Sequence, residues 1–212
     1  MVGEYNINKL GKNMAIELLT PFTKVKLKTE EGEKRRAIGL FWGNFNPVHI
    51  AHMTIADQVR QQLHLEKVVF LPEHNTDGHV ASMLTAAIDG REGLEVDACR
   101  LRAKNGDDIY RTVLDLREEN PECDFYFIVG GDMISGLAAW PHIDELIEMV
   151  QFVGVRRPRY RAGTSYPILW VDVPAMDVSG NLIREQLHRG IIPHFLLAPK
   201  VLNYILKEGL YV

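Results

Sequence analysis

From Ala37 onward the chain alternates short, continuous apolar runs with longer segments of helical period, and this alternation constrains its fold more than any other feature. The apolar runs fall at 37–42, 67–71, 94–101, 125–129, 151–155 and 168–173. A strand with one wet face alternates polar and apolar side chains, whereas these runs are apolar on both faces. Between them, 48–63 carries Val48, Ala51, Ile55, Val59 and Leu63 at spacings of three and four, the stripe of an amphipathic helix. Segments 81–88, 109–119, 143–149, 182–187 and 200–207 read as further helices. Strands buried on both faces and separated by helices predict a doubly wound α/β domain, with a mostly parallel sheet and helices on both faces. No internal repeat or low-complexity segment interrupts it.

The first 36 residues read differently. They show no strong period; 24–28 alternates Lys and apolar residues like a short exposed strand, and 30–36 is dense in charge. The expectation is a partly ordered N-terminal extension over 1–36 and one domain over 37–212. A net charge of −4 argues against a nucleic-acid partner, and no apolar run approaches the ~20 residues of a membrane span. Two distant cysteines, Cys99 and Cys123, and the absence of a basic-then-apolar leader fit a reducing, cytoplasmic setting. Oligomeric state is left open by the sequence, a homo-oligomer included.

In open α/β sheets, ligands bind beyond the carboxyl ends of strands. The first strand ends at Trp42, so the turn Gly43-Asn44-Phe45-Asn46-Pro47 lies where a ligand would sit. Gly43 permits close backbone approach, and Pro47 suits a helix entry. His49 and His52, three apart, then fall on the first turn of the next helix, where N–H groups and imidazoles together suit an anion. Two Gly-rich phosphate cradles, G-x-G-x-x-G and G-x-x-x-x-G-K-[ST], are missing. A zinc site would need a third or fourth ligand that neither cysteine supplies, so no protein-held metal is expected.

Gly43-Asn44-Phe45-Asn46-Pro47-Val48-His49-Ile50-Ala51-His52 resembles the G-x-F-x-P-x-H-x-x-H signature of the nucleotidyltransferase superfamily. The resemblance is closest to the bacterial nicotinate-nucleotide adenylyltransferases. It extends through Gly130-Gly131-Asp132, through Trp140-Pro141-His142, through Val150 to Pro158, and through the C-terminal Glu208-Gly209-Leu210-Tyr211. Met176-Asp177-Val178-Ser179-Gly180-Asn181-Leu182-Ile183-Arg184 is similar to the family's second motif, I-S-x-T-x-I-R. Ser179 is a natural helix N-cap there, and Arg184, one turn on, can fork onto phosphate oxygens.

The resemblance implies a Rossmann-like fold and adenylyl transfer from ATP, with Mg2+, to nicotinate mononucleotide. The substrates would be ATP and a pyridine mononucleotide. It implies His49, His52 and Arg184 as catalytic donors to the phosphates. Gly43, Asn44, Phe45, Ser179, Gly130 and Asp132 would bind ATP, and Trp140 and Arg157 the pyridine nucleotide. A phosphate nucleophile is already ionised near neutral pH, so positioning and charge stabilisation suffice without a general base. Other readings are a sister enzyme using nicotinamide mononucleotide or another phosphate ester, a nucleotide-binding protein without catalysis, and an interaction protein.

The chain departs from the family pattern at named positions. Trp42 replaces the first of two glycines, and Gly180 and Asn181 replace hydroxyl residues. The loop after Pro72 is short, keeping His79 but no lysine. Asp107 and Asp108 stand where the family's corresponding segment helps recognise the nicotinate ring; there they would repel a carboxylate or else cap a helix.

Overall fold

The computed structural model describes residues 18–19, 35–73, 78–97, 109–155 and 164–212. Its strands are β1 (Leu18–Leu19), β2 (Arg36–Gly43), β3 (Lys67–Pro72), β4 (Leu94–Val96), β5 (Cys123–Gly130), β6 (Gln151–Val155) and β7 (Ile168–Val171). The helices are α1 (Ile50–Gln62), α2 (His79–Ile88), α3 (Ile109–Glu119), α4 (Gly131–Ile134), α5 (Ile143–Met149), α6 (Gly180–His188) and α7 (Pro199–Glu208). A 3-10 turn covers Leu137–Ala139.

Among the described residues the strands form one sheet in the order β1-β7-β6-β5-β2-β3-β4, and every neighbouring pair is parallel. The continuous apolar runs of β2, β3, β5, β6 and β7 have the anticipated cause: each of these strands feeds two cores. Along β2, Phe41 joins one core while Leu40 and Trp42 join or pack against the other. In β5, Tyr126 and Ile128 face the first, and Phe125, Phe127 and Val129 the second. Helices α1, α2, α6 and α7 close the first core through residues such as Val59, Met83, Ile183 and Val201. On the opposite face, α3, α4 and α5 contribute Val113, Ile134 and Leu146.

Several boundaries differ from the sequence reading, three of them at or near the site or the sheet edge. Helix α1 starts at Ile50 rather than residue 48, because the backbone is still extended at His49 (φ −139°, ψ 174°). The run at 94–101 yields a strand only to Val96, and 98–101 lie outside the described residues. Strand β7 stops at Val171, although Val173 remains buried. Leu18 and Leu19, unmarked by any period, pair with Trp170 and Val171 and extend the β7 edge. The alternating segment 24–28 lies outside the described residues.

Strand order fixes where a ligand can bind. From β2 the chain winds one way to β3 and β4; from β5 it winds the other way to β6 and β7. The crevice at this reversal opens over the carboxyl ends of β2 and β5, at Gly43 and Gly130.

Candidate active site

A cleft of about 380 Å³ occupies that crevice, a volume within the usual range of small-molecule sites. Of the residues anticipated from sequence, Gly43, Asn44, Phe45, His49, His52, Gly130, Ser179 and Arg184 all line it. The two motifs, 130 residues apart in the chain, therefore converge on one space.

The first motif is shaped by Phe45. Its φ of 50° is left-handed, which costs a non-glycine residue on the order of 1 kcal/mol. Packing offsets that cost. The ring is 1% exposed and meets Phe41 at 5.4 Å, Phe70 at 5.4 Å and His52 at 5.0 Å. Thus Phe45 holds the turn from beneath, its ring giving a ligand little to touch. A side chain at residue 43 would start 3.2 Å from that ring, which is why glycine fits there.

His49 is the N-cap of α1, one residue outside the helix, and His52 is the third residue within it. The His49 backbone N–H donates to Nδ1 of His52 at 3.3 Å. In the neutral ring this leaves the His52 proton on Nε2, where it can serve as a hydrogen-bond donor. The imidazoles stack at 3.7 Å and 23°, so each fixes the plane of the other. His49 is 2% exposed, whereas His52 is half-buried, making His52 the more accessible of the pair. One anticipated donor is diverted: the Ile50 N–H donates to the Leu196 carbonyl at 2.9 Å and does not face an anion.

The second motif is built as its residue types require. Ser179 caps α6, its Oγ accepting from the Leu182 N–H at 3.2 Å. The hydroxyl proton stays available as a donor. Arg184 donates to the Asn46 carbonyl and to the side-chain oxygen of Asn181, which ties the two motifs together. Two of its five N–H groups suffice for this, leaving others to meet a phosphate. Asn181 thus holds Arg184, a role for the side chain that replaces a family hydroxyl. Gly180 has a steric reason: a Cβ there would lie 2.7 Å from the Asn46 carbonyl oxygen.

Several residues were not foreseen. Glu73, just past β3, lines the cleft, and its N–H donates to the Gly43 carbonyl at 2.8 Å. The only hint of it in the sequence was its place after an apolar run. Tyr211, near the C-terminus, donates from its hydroxyl to Oδ1 of Asn46, bracing the first turn from outside. Trp140 is not among the residues lining this cleft; half-buried like Trp42, it meets that ring edge to face, centroids 5.4 Å apart at 83°. His79 is engaged elsewhere, its Nδ1 2.8 Å from the Tyr204 hydroxyl. Asp132 sits within α4, so the N-cap position there belongs to Gly130. Arg157, Asp107 and Asp108 lie outside the described residues.

No described helix is long and apolar enough to cross a membrane. A cytidylyltransferase-like family model matches residues 40–186, a span that holds both motifs. A Streptococcus mutans protein named probable nicotinate-nucleotide adenylyltransferase is 52% identical over 209 residues, covering 93% of this chain and all of the relative. Its namesake from a Streptococcus pneumoniae strain is 51% identical over the same shares. Because that coverage exceeds the share held by 37–212, both relatives have a counterpart to part of the first 36 residues. The Plasmodium falciparum nicotinic acid mononucleotide adenylyltransferase, solved with NaAD, superposes with a TM-score of 0.72 at 18% identity. That match covers 83% of this chain and 97% of the other and establishes a shared fold. With both motifs set at the switch point of this sheet, the chain belongs to the cytidylyltransferase-like family, among the bacterial nicotinate-nucleotide adenylyltransferases.

Proposed function

We propose that the cleft transfers the adenylyl group of ATP to the phosphate of nicotinate mononucleotide, forming nicotinate adenine dinucleotide and pyrophosphate. The observation that carries this reading is the convergence of His52, Ser179 and Arg184 on one cleft at the strand-order reversal. The streptococcal relatives, named for this reaction and about half identical over nearly the whole chain, support it.

An acceptor phosphate oxygen attacks the α-phosphorus of ATP. The new P–O bond forms as the bond to the β-phosphate bridge breaks, and the electron pair leaves with pyrophosphate. No proton need be removed from the nucleophile. The residues hold the reacting groups in line and stabilise charge on the phosphate oxygens. His49 and His52 serve the transferred phosphoryl group, and Ser179 and Arg184 the departing end. Gly43, Asn44 and Gly130 let the backbone approach the nucleotide, with Asp132 beside the ATP ribose. The acceptor lies on the Trp42 and Trp140 side, and Arg157 is assigned to the pyridine nucleotide by family resemblance.

Magnesium would come with the triphosphate. Among the described residues no three His, Cys, Asp or Glu side chains are grouped to hold a metal ion, and Glu73 is the one carboxylate lining the cleft. Such a donor set fits a cation carried on phosphate and water oxygens. Bound there, it would offset negative charge on the triphosphate.

Pyrophosphate release tests the proposal, with ATP, magnesium and each candidate acceptor in turn. Turnover of nicotinate mononucleotide well above nicotinamide mononucleotide is expected. The reverse preference would overturn the assigned acceptor, and ATP binding without turnover of any ester would overturn catalysis.

A further inference from the structure

We infer that Tyr211 is a positioning residue for the transfer, acting through Asn46 on both phosphate motifs at once; as a statement about catalysis this rests on the proposed reaction. Little else directs the first turn. Residues 44–48 lie between the end of β2 and the cap of α1, so neither a strand ladder nor a helix supplies their hydrogen bonds. The main-chain bonds from other elements flank them: Glu73 N–H to the Gly43 carbonyl, and Ile50 N–H to the Leu196 carbonyl. Among the described residues, the polar contacts that other elements make with 44–48 both fall on Asn46. Its main-chain carbonyl accepts from Arg184 of α6, and its Oδ1 accepts from the Tyr211 hydroxyl.

Asn46 therefore serves two motifs. His49 follows three residues on, and Arg184 is held by the Asn46 carbonyl together with Asn181. A shift of Asn46 moves the approach to the histidine pair and the acceptor of Arg184 together. The buried Phe45 ring resists withdrawal of the turn, but packing is not directional, whereas hydrogen bonds are.

The segment after α7 is shaped to bring the hydroxyl here. Val201, Leu202 and Ile205 seat α7 in the first core, and Tyr204 pairs with His79 of α2. The helix closes at Gly209, φ 63°, whose N–H returns to the Ile205 carbonyl, as does the Leu210 N–H at 3.0 Å. Tyr211 then takes φ 63° itself, a left-handed conformation uncommon for a residue with a side chain. Such strain persists where the surroundings over-determine it. The half-buried ring packs against the first core, with its hydroxyl 3.9 Å from Met83 Sδ. Phenylalanine would pack as well; the hydroxyl is what reaches the turn.

Tyr211→Phe tests this, since it keeps the ring and removes the donor. For adenylyl transfer kcat should fall about fivefold, with KM for ATP and for the acceptor within about twofold of the parent. Ending the chain after Leu210 should lower kcat at least as far. In the Asn46→Ala background Tyr211→Phe should change kcat no further, as expected for a residue acting through its neighbour. Amide exchange followed by NMR should quicken more at His49 and Ile50 than along α7. Full kcat in Tyr211→Phe, or a loss undiminished in Asn46→Ala, would overturn the inference. So would exchange that quickens equally at the turn and in α7, the mark of a merely structural role. A parent inert toward every phosphate ester would instead overturn the proposed transfer, and the catalytic role of Tyr211 with it. Exchange at His49 and Ile50 indifferent to Tyr211→Phe would overturn the bracing itself, whatever the activity.

Discussion

Gly180→Ala is a one-carbon change where the second motif meets the first, and its effect can be worked from distances. The added Cβ would lie 2.7 Å from the Asn46 carbonyl oxygen and 3.2 Å from Nη1 of Arg184. A comfortable carbon–oxygen contact is about 3.3 Å, so the motifs must part by roughly 0.6 Å. The arginine tip could swing aside; the carbonyl is backbone, held by Arg184, with the Asn46 side chain held by Tyr211. Over-packing of this kind costs about 1–3 kcal/mol, or roughly 2–10 °C in Tm for a domain of this size. A 1 Å misplacement at a reacting centre can cost about 100-fold, so kcat should fall on the order of tenfold. Gly180→Ser should do the same, although it restores a hydroxyl typical of the family. The assay is pyrophosphate release paired with thermal melting. If either variant kept kcat within about twofold of the parent with an unchanged Tm, the close approach of the two motifs would be refuted.

Tyr211→Phe removes the brace on Asn46 and should cost about 1 kcal/mol of stability with a severalfold drop in kcat; unchanged turnover would show that the C-terminus does not position the turn. His52→Ala should lower kcat about 100-fold or more with little change in Tm. His49→Ala, at a site 2% exposed, should lose turnover and also stability, by about 1–3 kcal/mol, which melting curves would resolve. Burial pushes the Tyr126 phenol up to about 12. Between about pH 10 and that value the unfolded chain releases this proton and the folded chain keeps it, so stability falls as pH rises. Tyr126→Phe should flatten that alkaline decline in denaturant titrations, and an identical decline would contradict the assigned cause.

What could be read from the chain alone follows the range of the forces involved. Helices over 109–119 and 143–149 and the strand over 151–155 were legible end to end, because apolar period and flanking polar residues are local signals. The start of α1 was misplaced, since the chain stays extended through His49, the helix cap, and histidine is an unusual residue there. Two-residue β1 has no period to detect. At the site, both phosphate motifs were visible as residue patterns. Their mutual contact was not: the Arg184 bond to Asn46 spans 138 residues and the Tyr211 bond spans 165. The same holds for Gly180. As a departure from a motif it looked like a lost donor, and only the nearby carbonyl explains it.

The central claim is that an acceptor phosphate oxygen attacks the α-phosphorus of ATP in the cleft between Gly43 and Arg184. Nicotinate mononucleotide labelled with oxygen-18 in its phosphate, incubated with ATP, magnesium and the protein, tests it directly by mass spectrometry. All of the label should appear in nicotinate adenine dinucleotide, with none in pyrophosphate, and the product should be lost in His52→Ala. Label in pyrophosphate, or dinucleotide formed undiminished by His52→Ala, would contradict the account.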